Sequence, residues 1–172
     1  MFGTLFLLAT SSMGGVGTDL MTEIRTGKML CSNPDLGKKT CSAITIFSVG
    51  QDGSVNETTE MLIAPNPPIT VEMSAPSQIQ GPVNCTVLTI SQMQKGQVRI
   101  NGAPLPSDQN VAVLSKILEV MGPMADKRAC DEIRIEAGQL VKFGQVEGVE
   151  VKLPGKPVRW ISMDEGFKVA PR

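Results

Sequence analysis

Apolar residues recur at helical spacing in two stretches of the chain. The longer stretch ends before Gly122-Pro123 and consists of Val111, Leu114, Ile117, Leu118 and Met121. Ser107 and Asp108 precede it, and residues of these types cap helix N-termini. The shorter stretch follows Asp19 and consists of Leu20, Met21 and Ile24, with Lys28 one turn further along the same predicted helix. We predict one helix in each place.

Strict alternation of apolar and polar residues marks the predicted strands. Ile133 and Ile135 alternate with charged neighbours, as do the apolar residues of 149–153 and 158–160. This period of two is typical of a strand with one face in solvent. In the first half, predicted strands over 43–49 and 54–63 flank Asp52-Gly53, and Asn101-Gly102 follows another. Both dipeptides tolerate the positive φ of a tight hairpin turn.

Each half of the chain therefore has the order helix, strand, strand, strand. This order predicts an α+β fold in which an antiparallel sheet packs against one or two helices. A shift of the sequence against itself by 89 positions places Cys41 on Cys130 and Pro34 on Pro123. We interpret these matches as a tandem duplication, with repeat units at 19–83 and 108–172.

The N-terminal segment has the character of an export signal. No charge occurs from Met1 to Met13, and Leu5-Phe6-Leu7-Leu8-Ala9 is an apolar run too short to span a bilayer. Small residues at Gly15 and Gly17 supply a cleavage site, although a basic start is missing. We predict a signal peptide at 1–17 and a single secreted domain at 18–172. The alternative is a core strand of a cytosolic protein.

Four cysteines follow this segment: Cys31, Cys41, Cys85 and Cys130. An even count behind an export signal predicts two structural disulfides and a periplasmic or secreted protein. Three pairings are possible, and the order of the elements favours Cys31 with Cys41 and Cys85 with Cys130. The chain has no histidine, and its cysteines lie far apart, so neither a zinc site nor a redox-active C-x-x-C pair is expected.

The absence of histidine also removes the common catalytic dyads and triads. Carboxylates remain as candidates for catalysis, and they are Asp131, Glu132, Glu136, Glu147 and Glu150. Because they alternate with apolar residues, we interpret them as the solvated faces of strands. We predict no enzyme, no catalytic residue, and no cofactor or metal site.

Charge and aromatic content limit the partners. The net charge is −1 and no run of basic residues occurs, which disfavours nucleic acid and membrane surfaces. Aromatic residues make up 3% of the chain, so platforms for stacking bases or sugars are scarce. We expect no nucleic-acid partner and no stable membrane insertion. The sequence does not predict an oligomeric state.

Several short strings carry a resemblance. They are Gly27-Lys28-Met29-Leu30-Cys31-Ser32-Asn33-Pro34, Lys39-Thr40-Cys41, Val158-Arg159-Trp160-Ile161-Ser162 and Val169-Ala170-Pro171. In these strings the chain resembles small exported proteins of alphaproteobacteria. Those proteins are functionally uncharacterised, so the resemblance implies export in a Gram-negative cell and implies no activity.

Three hypotheses for the function follow. The first is a non-enzymatic periplasmic protein that binds another envelope or extracellular macromolecule, such as an envelope protein, through its sheet or an edge strand. The second is a secreted inhibitor of a hydrolase that presents the loop between Cys31 and Cys41 rigidly. The third is a carboxylate-dependent enzyme acting on envelope polymer, which would need a pocket containing two carboxyl groups.

Overall fold

The computed structural model describes residues 19–150 and 154–172, and strands dominate it, with 49% of the chain against 21% for helices. The helices are α1 (Leu20–Arg25), α2 (Ile90–Met93) and α3 (Ser107–Met121), and short 3-10 helices occur at Gly122–Met124 and Met163–Glu165. The strands are β1 (Met29–Ser32), β2 (Thr40–Cys41), β3 (Ala43–Val49), β4 (Val55–Pro65), β5 (Pro68–Gln80), β6 (Val83–Val87), β7 (Gln97–Ile100), β8 (Ala103–Pro104), β9 (Arg128–Glu136), β10 (Gln139–Val146), β11 (Lys156–Ile161) and β12 (Lys168–Val169). The predicted signal peptide and the alternating residues 151–153 lie outside the described residues.

Eight strands close into an antiparallel barrel. Their order is β4-β3-β1-β11-β10-β9-β6-β5, and β5 pairs again with β4 to complete the ring. β7 and β8 extend sideways from the first half of β5. The predicted α+β fold, with a sheet packed against helices, is therefore wrong. The sheet instead curls into a barrel, because its first and last strands, β4 and β5, pair through backbone hydrogen bonds.

Tight turns set the register of two hairpins. Val49 pairs with Val55 across a turn in which Gly53 has φ +81°. Ile100 pairs with Ala103 across Asn101 and Gly102, which have φ +53° and +79°. Positive φ at both central positions is the geometry that Asn-Gly favours. Both predicted hairpins are confirmed.

Both predicted helices form, and α1 covers one end of the barrel. Its N-cap is Asp19, whose carboxylate accepts a hydrogen bond from the Met21 amide. The Leu20 amide donates to the carbonyl of Gly81, in the turn between β5 and β6. Leu20 and Ile24 pack against inward-facing residues of three strands: Leu30, Ile133 and Val158. We call this the closed end.

The opposite end carries α2 and α3. α3 packs on β5 and β7 around a core of Val71, Met73, Met93, Val98 and Leu114. Asn110 fastens the helix to the sheet, since its side chain accepts from the Val98 amide at 2.7 Å and donates to the Gly96 carbonyl at 2.9 Å. We call this the open end, because the interior of the barrel is incompletely filled beneath it.

Both disulfides have the predicted pairing, Cys31 with Cys41 and Cys85 with Cys130, which confirms the two bridges. Cys31 and Cys41 are fully buried on the outside of the barrel, beneath Phe167 and Val169 near the C-terminus. There β12 pairs in parallel with β2. The second bridge joins directly opposed residues of β6 and β9. Two disulfides fit an extracellular or periplasmic location.

The structure does not support the predicted duplication. Cys41 belongs to β2, a strand of two residues outside the barrel, whereas Cys130 belongs to β9, a barrel strand of nine residues. Equivalent positions in two repeats would occupy equivalent elements. The 89-residue shift therefore aligns residues of non-equivalent elements.

None of the helices within residues 19–150 and 154–172 has the length and apolar character needed to cross a membrane.

Candidate functional site

A cavity of about 250 Å³ occupies the interior of the barrel. Side chains of β1, β3, β4, β5, β6, β9 and β10 form its wall, nearly all of them from the strand face that points inward. Leu20 of α1 lies at its floor, and residues from α2 to the start of β9 lie at its mouth. The cavity therefore runs from the closed end to the open end.

The floor of the cavity is apolar and well packed. Leu20 and Ile133 are almost completely buried there, and Leu30 and Phe47 lie against them. Trp160 packs behind Phe47, with 6.3 Å between the ring centroids. Branched aliphatic and aromatic side chains have few rotamers, so this floor is rigid.

The mouth of the cavity is lined by methionine. Five of the ten methionines meet there, although they come from five different elements: Met61, Met73, Met93, Met121 and Met124. Methionine is unbranched and adopts many shapes at little cost, so such a lining adapts to what it contacts. Because these methionines are scattered along the sequence, their positions did not predict that they cluster in the fold.

A ring of polar side chains interrupts the apolar wall between floor and mouth. Asn84 is central: its amide oxygen accepts from the hydroxyl of Ser77, and its amide nitrogen donates to Oε2 of Glu57 at 2.5 Å. On the next strands, the ammonium of Lys142 lies 3.0 Å from Oδ2 of Asp131. We call Glu57, Asn84, Asp131 and Lys142 the polar belt.

The electrostatics of the belt are uneven. Burial raises the pKa of Glu57, and the nearby Asp131 carboxylate raises it further. The hydrogen bond from Asn84 and the charge of Lys142 act in the opposite direction but do not cancel these effects. Asp131 has the cation of Lys142 as a direct partner, whereas the direct partner of Glu57 among residues 19–150 and 154–172 is the neutral amide of Asn84.

The predicted carboxylates separate into two groups. Glu132 and Glu136 lie on the outer face of β9, where both contact Arg134, at 3.6 and 2.8 Å. Glu147 and Glu150 are exposed. The interpretation as a solvated outer face is wrong for Asp131, which faces the cavity. β9 places residues of odd number inside, and the sequence interpretation did not consider a polar interior.

Sequence reasoning missed Glu57 altogether. β4 has the run Val55-Asn56-Glu57-Thr58-Thr59-Glu60, which shows no alternation of apolar and polar residues. Both of its faces are polar over this run, because Glu57 and Thr59 face the cavity while Thr58 and Glu60 face outward. The sequence signal that could have identified Glu57 is a strand, placed between two hairpin turns, in which apolar and polar residues do not alternate.

Across the part of the chain that the structure describes, no three His, Cys, Asp or Glu side chains converge as a metal site would require. Comparisons of the chain with protein-family models, curated proteins and solved structures found no significant match.

Proposed function

We propose that this protein is a non-enzymatic binding protein that holds one small molecule inside its barrel. The observation that carries this proposal is a cavity with an apolar floor, an adaptable mouth and a polar belt between them. Barrels of eight strands are wide enough either to be filled by their own side chains or to hold one small ligand. The space left beneath the open end favours the second use.

The volume limits the size of the ligand. A cavity of about 150 Å³ holds benzene, and pockets for drug-sized ligands begin at about 300 Å³. The 250 Å³ present here lies between these values. It suits a single ring or a short alkyl chain with one polar group, which would lie at the belt.

Straight-chain alcohols of increasing length provide a direct test. Trp160 is the single tryptophan of the chain and packs behind Phe47 of the cavity wall, so its emission should report occupancy. Each added methylene contributes about 0.8 kcal/mol when buried, which corresponds to about fourfold in affinity. We expect the affinity from calorimetry to rise at this rate and then level off once the cavity is full.

A variant that fills the cavity supplies the control. Ala75 is buried in the wall, and Ala75→Leu should lower the affinity for the best alcohol at least tenfold by occupying its space. The matched change Ala112→Leu, on the exposed face of α3, should leave the affinity unchanged. Equal affinities in both variants, or no alcohol binding at all, would contradict the proposal.

One observation favours a second candidate, a carboxylate-dependent enzyme. Glu57 and Asp131 both line the cavity, and they differ in their surroundings, because Asp131 contacts the ammonium of Lys142 whereas burial raises the pKa of Glu57. The small apolar cavity suits a polymer substrate poorly, which is why binding is preferred. Turnover of a small substrate that Glu57→Gln abolishes, with binding retained, would establish this candidate.

We also propose export, with cleavage after residue 17 and a periplasmic or secreted mature protein. The two disulfides support an oxidising compartment. Intact mass of exported material should show a start near Thr18 and no free thiol.

Binding of an envelope macromolecule stays a prediction, and so does inhibition of a hydrolase. Closure of the barrel pairs β4 with β5, and the short β8 is an edge strand of this sheet to which another strand could add.

A further inference from the structure

Glu57 is the unbalanced charge of the cavity. Among the described residues, three other charged groups line the wall: Asp131, Lys142 and Lys127. Lys142 is engaged by Asp131, and Lys127 lies at the mouth, next to the first residue of β9. No cationic nitrogen of the described residues lies within 4.0 Å of the Glu57 carboxylate. Its partner is the neutral amide of Asn84, which contacts Oε2.

An ionised carboxylate in such a place is costly unless a cation joins it. Ionisation of Glu57 gives the Glu57, Asp131 and Lys142 cluster a net charge of −1, which one ligand cation would neutralise. An anionic head group would instead lie beside two carboxylates. A hydroxyl could donate to Glu57 but would leave its charge uncompensated.

We infer that the ligand is a small aliphatic amine, bound as its ammonium against Glu57 with its alkyl body among the methionines of the mouth. This inference rests on the proposed function, because it requires the cavity to accept a ligand. The ammonium provides three donors. One of them donates a hydrogen bond to the carboxylate of Glu57. The hydroxyls of Thr45 and Thr59, which also line the cavity, can accept the others.

Three six-carbon ligands with different head groups test the inference on the unaltered protein. They are hexan-1-amine, hexan-1-ol and hexanoate, measured by calorimetry at pH 7.5. We expect the amine to bind at least tenfold more tightly than the alcohol, and hexanoate to bind most weakly. The preference for the amine should decline as the pH falls and Glu57 becomes protonated. The other charged side chains that face the cavity from the described elements are Asp131, Lys142 and Lys127.

Two variants identify the residue responsible. Glu57→Gln keeps the size of the side chain and its bond from Asn84 but removes the charge. It should weaken the binding of hexan-1-amine at least tenfold and the binding of hexan-1-ol much less, so that the preference for the amine over the alcohol is lost. Glu132→Gln, which changes the outer face of β9, should alter none of the three affinities.

The outcomes separate this inference from the proposed function. If the alcohol or hexanoate binds the unaltered protein as tightly as the amine, the inference is overturned while the binding function stands. If the amine preference survives Glu57→Gln, another group provides it and the inference also fails. If none of the three ligands binds and Trp160 emission is unchanged, the proposed function fails as well.

Discussion

The two ends of the barrel are held together in different ways. At the closed end, Leu20 and Ile133 are 0% and 1% exposed, and packing of branched and aromatic side chains fixes α1 across the opening. At the open end five methionines line the mouth of the cavity, and one of them, Met124, is 42% exposed. The bridge between Cys85 and Cys130 joins β6 to β9 beside Thr86 and Ala129, which line the cavity. A covalent bond thus braces two strands of the wall whose mouth is lined by adaptable methionines.

Removal of a disulfide should have the largest effect on this contrast. The bridge between Cys85 and Cys130 closes a loop with a sequence separation of 45. Under the chain-entropy account, such a loop stabilises by about 4 kcal/mol. We expect the double variant Cys85→Ser/Cys130→Ser to lose about that amount in urea unfolding, and alcohol binding to weaken because the strands below the mouth separate more easily.

The control for this variant is the unaltered protein, unfolded under the same conditions without reductant. If the double variant unfolds at the same urea concentration, the open end does not depend on covalent bracing. The comparison between the two ends would then have to be abandoned.

Truncations at the two ends should differ in cost. Leu20→Ala creates a void in the packed floor and should cost about 3 kcal/mol of unfolding free energy. Met121→Ala lies beside existing space at the mouth and is half-buried, so a loss of about 1 kcal/mol is expected. Thermal and urea unfolding of both variants measure the difference. Equal losses would show that the two ends are equally well packed.

The smallest expected effect is a dependence of stability on pH, which arises from Glu57 in the polar belt between the two ends. Because the pKa of Glu57 is raised from 4.5, the folded protein keeps a proton that the unfolded chain has released. The stability that this proton contributes is fully present below pH 4.5 and is lost as the pH rises through the raised pKa. Glutamine does not titrate, so we expect Glu57→Gln to lack this loss of stability. The melting temperature of the variant minus that of the unaltered protein should therefore increase from pH 4 to pH 7.

Glu132→Gln provides the matched control for the pH experiment. Its side chain is 45% exposed on the outer face of β9, and loss of such a surface charge typically changes stability by less than about 1 kcal/mol. The melting temperatures of this variant should follow those of the unaltered protein at every pH. A constant offset for Glu57→Gln over the whole range would show that Glu57 titrates normally.

Local features of the structure could be predicted from the sequence because neighbouring residues determine them. Asp52-Gly53 and Asn101-Gly102 specify turns through their own backbone preferences, and Asp19 caps α1 through its own side chain. The two disulfides followed from cysteine count and the order of the elements. Each of these inferences needed only a short window of the chain.

Barrel closure and the cavity could not be predicted, because they depend on which distant strands pair. Alternation in β9 indicates that Ile133 and Glu132 face opposite sides, but it does not reveal that Asp131 faces a second polar environment inside. In β4, Glu57 is a cavity residue only because β3 and β5 place Phe47 and Ala75 beside it. The polar belt therefore exists in the tertiary structure and has no counterpart in any local pattern.

The pairing of β1 with β11 has a consequence for folding. It joins Met29 to Ile161, so the ring is completed only when the two distant parts of the chain meet. Such non-local pairing is slow, because much chain entropy is lost before the contacts form. The cavity should thus be among the last features to appear during folding, and a ligand that binds only the finished ring would retard unfolding without accelerating folding.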